Sequence, residues 1–147
     1  MVRLKEILKP IIIVPYSMNI AGVAVTMDLH STHCVLVEHV DSSLGIITEK
    51  DIIRGVVARC KDPSQVRAWE IMKQPIVTAD EETDIRNAVE IMKRYKIRNL
   101  IVTQGKEIKG VVKRSTILNN IKVDEEDFWT EEALEQNVFE QSIVSDK

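Results

Sequence analysis

Hydrophobic and polar positions along this chain follow one pattern used twice. Adding 65 to a residue number between 10 and 57 lands on a residue of like character, with no gap. Pro10-Ile11-Ile12 answers to Pro75-Ile76-Val77, Met27 to Met92, Val35-Leu36-Val37 to Leu100-Ile101-Val102, and Gly45-Ile46-Ile47 to Gly110-Val111-Val112. In the second copy, Ile76-Val77-Thr78 is a short β-rich run, and Ile85, Ala88, Val89 and Met92 share one face at helical spacing. Thr83 is the expected cap of that helix, which runs to about Tyr95. Asn99 to Val102 and Ile108 to Val112 read as strands around a turn at Gln104-Gly105-Lys106, and Ser115 to Ile121 as a closing helix. The first copy predicts the same order. It has a strand over Ile11 to Val14, a helix from about Met18 to Leu29, and a strand over Cys34 to Glu38. A turn at Asp41-Ser42-Ser43, a strand over Leu44 to Thr48 and a helix from Glu49 to about Arg59 complete it.

The expected fold is therefore α/β (α+β): two β-α-β-β-α repeats related by a pseudo-twofold axis. A unit this small cannot bury its apolar face alone, so the copies should pack on each other and leave two clefts. Both middle strands are nearly continuous in apolar residues, as expected for a sheet covered by helices on one face and by the other repeat on the other. The division predicted is 1–59 for the first repeat, 60–67 for a linker with the turn signal Asp62-Pro63-Ser64, 68–121 for the second repeat, and 122–147 for an acidic, partly helical tail. Trp69, in a helical turn before the second repeat, is expected to pack over the repeat junction.

Composition narrows the classes. The chain has 147 residues, 44% of them hydrophobic, enough for a core within one compact domain. Its apolar runs fall far short of the ~20 residues that cross a membrane, and the start lacks the apolar stretch of a signal peptide. Cys34 and Cys60 form no CxxC pair and read as reduced thiols of a cytosolic protein. Net charge is −3, but residues 122–147 hold nine acids against two lysines, a net −7 that leaves 1–121 at +4. That excess suits a phosphate-bearing ligand and is too small to argue for nucleic acid.

The sharpest local feature is Gly45-Ile46-Ile47-Thr48-Glu49-Lys50-Asp51. Gly45 permits close approach, Thr48 stands where a strand becomes a helix, and Asp51 falls in the helix's first turn. The Asp51 carboxylate can accept two hydroxyl protons at once, which suits a ribose diol. The same residues serve equally well as a helix cap, and spacing alone leaves both readings open. Of His30, His33 and His39, a zinc site could pair His30 with Cys34 or His33, but no full set of four ligands stands out, and no activated nucleophile or carboxylate pair supports catalysis. The basic run Lys93-Arg94-Tyr95-Lys96-Ile97-Arg98 reads first as a solvated helix end, with Arg98 open to a phosphate role.

These traits together resemble a tandem cystathionine-β-synthase (CBS) domain pair, the Bateman module. The resemblance rests on Gly45 to Asp51, on Lys61-Asp62-Pro63-Ser64, and on Glu70-Ile71-Met72 ahead of Pro75-Ile76-Val77-Thr78. Ala88-Val89-Glu90-Ile91-Met92 before Ile97-Arg98-Asn99-Leu100-Ile101-Val102 adds to it, and the likeness spans about residues 4–121. It implies a non-catalytic regulatory module that binds an adenosine-containing ligand (AMP, ADP, ATP or S-adenosylmethionine) and pairs as a flat homodimer. By the same resemblance, Thr48 and Asp51 face the ribose, Ile12, Ile13 and Val14 line the adenine, and His33, Cys34 and Val35 flank the ligand. The second copy departs from the pattern, with Lys113 in place of the threonine and Thr116 in place of the aspartate. Its cleft is expected to be empty, to hold a ligand in a different pose, or to use Lys113, Arg114 and Arg98 for phosphates, with Val77, Asn99 and Thr116 the other members of such a second site. Two rivals stand beside this reading: an interaction scaffold whose sites have decayed, and a nucleic-acid binder using residues 93–98. The tail sets Phe128, Trp129, Ala133, Leu134, Val138 and Phe139 on an acidic background, a pattern for docking on the chain itself, a sister subunit or a protein partner.

Overall fold

The computed structural model describes residues 1–124; residues 125–147, with Phe128, Trp129 and most of the acidic tail, lie outside the described residues. After a 3-10 turn at Leu4–Glu6 come β1 (Ile13–Pro15), α1 (Ile20–Leu29), β2 (Cys34–Glu38), β3 (Leu44–Thr48) and α2 (Glu49–Ile52). The second unit has α3 (Ala68–Ile71), β4 (Thr78–Asp80), α4 (Ile85–Tyr95), β5 (Asn99–Gln104), β6 (Glu107–Lys113) and α5 (Arg114–Asp124). Each repeat builds a three-stranded mixed sheet, ordered β1-β2-β3 and β4-β5-β6, with the first pair parallel and the second antiparallel. This is the β-α-β-β-α duplication read from the sequence.

Alternation along the middle strands divides the core into three. Val35 and Val37 of β2 join Ile47 and the α1 residues Ile20, Val23 and Met27 on the helix side. Leu100 and Val102 of β5 do the same with Ala88, Val89 and Met92 of α4. Cys34 and Leu36 point the other way and meet Ile101 and Val111 between the two sheets. Every second side chain of β2 and β5 thus serves a different core, which requires both faces to be apolar.

A reciprocal exchange of lead-in segments locks the repeats together. Lys9 pairs with Val111 of β6 through both backbone groups, at 2.9 and 2.8 Å, and Lys73 pairs with Ile46 of β3 in the same way, at 2.9 and 3.0 Å. Leu4 is buried in the second repeat's core, while Val66 and Ala68 are buried in the first's. Local detail matches as well. The Arg3 and Arg67 N–H groups donate to Glu6 and Glu70, each at 2.6 Å, and the two guanidiniums donate to the Glu82 and Ser17 carbonyls. Residues 3–9 and 67–73 are therefore also copies, offset by 64 rather than 65, with one extra residue before Pro75. The sequence carried the signal: Arg3-Leu4-Lys5-Glu6-Ile7-Leu8-Lys9 beside Arg67-Ala68-Trp69-Glu70-Ile71-Met72-Lys73.

The exchange explains several departures from expectation. The first strand of each repeat starts two residues later than predicted, because Pro10–Ile12 and Pro75–Val77 carry the chain across from one sheet to the other. Ile11 and Ile76 pack between the sheets on the way. Asp84, not Thr83, caps α4, its Oδ1 accepting from the Arg86 and Asn87 N–H groups at 2.9 and 3.0 Å. α1 begins at Ile20 under an Asn19 cap rather than at Met18. The helix from Glu49 widens after Ile52 into a π-helical stretch, Ile53–Val57, with Ala58 N–H donating to the Ile53 carbonyl at 2.7 Å. Trp69 is half exposed on α3 instead of covering the junction.

Gly45 and Gly110 make the exchange sterically feasible, but unequally. A Cβ on Gly110 would stand 2.2 Å from the Lys9 carbonyl oxygen, whereas one on Gly45 would meet the flexible Met72 side chain at 2.7 Å. Gly110→Ala should cost about 3 kcal/mol and Gly45→Ala on the order of 1 kcal/mol, as measured by urea unfolding. Burial pushes the Cys34 thiol up to about 11, with Lys113 opposing and Glu49 adding, while Cys60 is exposed. A thiol reagent at pH 8 should accordingly titrate Cys60 alone in the native protein and both cysteines after denaturation.

Candidate functional site

Thr48 and Asp51 meet where β3 turns into α2. Thr48 pairs with Cys34 across the sheet, so this corner lies at the end of β2 that touches the repeat junction. The two residues form a reciprocal cap. Thr48 N–H donates to Asp51 Oδ2 at 2.8 Å, Thr48 Oγ1 donates to the same oxygen at 3.0 Å, and Asp51 N–H donates back to Oγ1 at 3.3 Å. Such a cap stabilises a helix start by about 1 kcal/mol.

Capping accounts for only one carboxylate oxygen. Asp51 Oδ1 lies 3.1 Å from Lys73 Nζ, although the Asp51 side chain is 6% exposed and that of Lys73 is 71% exposed. Asp51 is also the one charged residue buried among those described. A carboxylate withdrawn from water in this way needs partners for its remaining lone pairs. Lys73, which the sequence did not single out, supplies one of them, and it arrives on the exchanged segment of the other repeat. Only recognition of the offset copy Lys9/Lys73 could have pointed to it.

Other groups gather around this corner. His33 Nδ1 lies 2.8 Å from Glu49 Oε1, and the His33 carbonyl accepts from Glu49 N–H at 3.2 Å. The Lys50 ammonium is held below its ordinary value, first by partial burial and then by repulsion from Arg54, Arg98 and Lys73, with Asp51 acting in the opposite sense. Arg98 and Arg114 are joined through backbone, the Arg114 N–H donating to the Arg98 carbonyl at 2.8 Å.

The remaining sequence-derived candidates divide by place. Cys34 faces the junction, whereas Val35 and Val14 bury their side chains in the first repeat's helix-side core and can offer a ligand only backbone there. The Ile12 carbonyl accepts from Leu36 N–H, which places Ile11 and Ile12 at the Thr48 end of the sheet. Ile13 and Val14 lead toward the opposite end, where they line an open groove of about 390 Å³ with Pro15, Tyr16, Glu38, His39 and Val40. A second groove of about 330 Å³ holds Val77 with Pro75, Ile76, Thr78, Ile91, Arg94 and Tyr95. Neither groove includes Thr48 or Asp51.

In the second repeat, Lys113 ends β6 opposite Asn99 and lies close enough to Cys34 to act on its thiol. Thr116 stands in the first turns of α5, its carbonyl accepting from Asn120 Nδ2. The counterpart of Lys73 there is Lys9, and Thr116 stands in the sequence place of Asp51. Lys93 and Arg94 occupy the last turn of α4 and Lys96 its left-handed cap, favourable placements for cations at a helix C-terminus. His30 closes α1, and His39 stacks beside Tyr16 with ring centres 5.1 Å apart.

This duplicated sheet-and-helix architecture defines a class of paired-repeat modules. The CBS domain model matches residues 4–58 and 68–123, and the chain belongs to the CBS-domain family as a tandem pair. It is 39% identical over 85 residues to an uncharacterised protein of Methanopyrus kandleri, covering 57% of this chain and 43% of that one. An uncharacterised protein of Methanocaldococcus jannaschii is 32% identical over 117 residues, which cover 76% of this chain and 62% of the relative. The chain thus spans less than two thirds of the length of these two relatives. Among solved structures, a hexameric CBS-CP12 protein of bloom-forming cyanobacteria superposes with a TM-score of 0.77 at 27% identity, over 87% of this chain and 78% of that one. No helix among the described residues is long and apolar enough to cross a membrane.

Proposed function

We propose that this CBS pair is a sensor that binds an adenosine-containing ligand at the repeat junction, with Thr48 and Asp51 holding the ribose hydroxyls. The observation that carries this reading is the buried Asp51 carboxylate. One of its oxygens is consumed by the helix cap, and the other is turned to a lysine from the other repeat. A diol in place of that ammonium would receive the acceptor geometry it needs. Ile12 and the junction side of β2 supply apolar surface and backbone groups for an adenine ring, and His33 flanks them. Because the site joins groups from both repeats, ligand binding would favour one arrangement of the pair over others, which is the basis of a regulatory response. The second corner, with Lys113 and Thr116, has lost the diol-binding carboxylate, which favours one site over two. A decayed scaffold remains the rival for that half of the molecule.

The outer helices of the first repeat favour self-association. Val25 and Leu29 of α1 and Ile53 and Val57 of the π-helical stretch are exposed, and the only charge on α1 is Asp28. The counterparts of Val25 and Leu29 in the second repeat are Glu90 and Arg94. A second copy meeting this face with its own would bury apolar surface, with Asp28 and Arg54 the charged residues of these two elements.

Asp51→Asn keeps an oxygen for the cap while removing the charge that binds a diol. It should weaken adenosine-nucleotide binding by about tenfold in calorimetry, with an unfolding midpoint close to the parent's. Unchanged affinity would remove Asp51 from the ribose role. Leu29→Glu, at a position 76% exposed, should shift a dimer to a monomer in sedimentation without altering the circular dichroism spectrum.

A further inference from the structure

We infer that the acidic segment 125–147 docks on its own chain, in the groove beside the end of α4, and acts as a latch on the second repeat. The groove, of about 330 Å³, runs between Pro75-Ile76-Val77-Thr78 and the α4 residues Ile91, Arg94 and Tyr95. Its lining joins half-buried apolar side chains, Ile76, Val77 and Ile91, to an exposed arginine and to Tyr95, 55% exposed. Residues 93–98 hold four cations, Lys93, Arg94, Lys96 and Arg98, and no acid; the one acid of α4 is Glu90, a turn earlier. The equivalent stretch of the first repeat, 28–33, holds Asp28 and two histidines. This helix end is therefore basic by difference from its own copy.

Charge and reach select the occupant. Residues 125–147 carry eight acids against Lys147, a net −7, with Leu134, Val138 and Phe139 set among Glu131, Glu132, Glu135 and Glu140. Apolar residues flanked by acids complement an apolar groove flanked by cations. The Arg114 N–H donates to the Arg98 carbonyl at 2.8 Å, so α5 starts beside the end of α4, and Ile117 and Ile121 share a core with Ala88, Val89 and Met92. Following a strand antiparallel to β5, α5 runs back along α4 and delivers Asp124 near the start of that helix. Return to the groove covers about 16 Å along α4 and about 10 Å across it, or roughly 19 Å. Phe128 and Trp129, four and five residues past Asp124, span at most about 17 Å and fall short. Val138 and Phe139, fourteen and fifteen residues past it, arrive even at the rise of about 1.5 Å per residue of a helix. A tether of this length holds the segment at an effective concentration of about millimolar, which favours it over a second copy.

Carbodiimide cross-linking of mixed isotopically light and heavy full-length chains, read by mass spectrometry, tests the latch. Links should join Glu131, Glu132, Glu135 or Glu140 to Lys93 or Lys96 within single chains, and their yield should fall several-fold in about 0.5 M salt. Links between light and heavy chains would overturn the inference by making a second copy the occupant. Hydrogen exchange supplies an independent readout. Amides of 133–140 should exchange about tenfold more slowly in the parent than in Arg94→Glu or Phe139→Asp. Arg94 is exposed, so Arg94→Glu should leave the protection of the β5 and β6 amides unchanged, which separates loss of docking from loss of fold. Equal exchange over 133–140 in the parent and both variants, or links spread evenly over all lysines, would also overturn it.

Discussion

The structure depends on the contact that each repeat's lead-in segment makes with the last strand of the other. Lys9 on Val111 and Lys73 on Ile46 are two-bond backbone contacts, and they hold only because Gly110 and Gly45 leave room beside those strands. From them follow the burial of Leu4 and Ala68 in the opposite repeats, the crossing of Pro10–Ile12 and Pro75–Val77, and the late start of β1 and β4. The core between the sheets, Cys34 and Leu36 against Ile101 and Val111, then closes a gap whose width the exchange has already set.

The same exchange creates the chemistry of the junction. Asp51 belongs to the first repeat and Lys73 to the lead-in of the second, so their ion pair exists only in the assembled pair. An acidic side chain buried by a helix cap is ordinary. Here its second oxygen is also met by a solvent-facing ammonium from the other unit. Its partner corner, where Lys9, Lys113 and Thr116 take the equivalent places, keeps the architecture and has a hydroxyl where the first has a carboxylate.

Much of this was legible in the sequence because the periodicities are strong. The α4 face of Ile85, Ala88, Val89 and Met92 and the apolar strands Val35–Val37 and Leu100–Val102 admit one secondary structure each, and the glycine-to-aspartate motif located the corner. What the sequence obscured were long-range effects. Ile11 and Ile76 look like strand residues because they are apolar, but they serve the space between sheets before the strands begin. Thr83 and Asp84 are both competent caps, and only the path of the chain, with the Thr83 carbonyl taken by Leu4 N–H, selects the second. Lys73 stayed hidden because its homology to Lys9 lies one residue out of register with the main repeat. Val35, adjacent to Cys34, went to the other face of the sheet, as strand alternation requires.

The reciprocity of the lead-ins also bears on how such a chain could arise. A single ancestral unit, with an N-terminal arm that completes a neighbour rather than itself, would have been compelled to form symmetric pairs by arm exchange. Joining two genes through a loop such as Cys60–Gln65 would preserve every one of those contacts while ending the requirement that both halves be identical. One half could then keep an acidic seat and surrender its outer helices to a greasy face, while the other traded its acid for a hydroxyl and coated its helix in charge. Fusion, on this view, released a twofold-symmetric ancestor into division of labour.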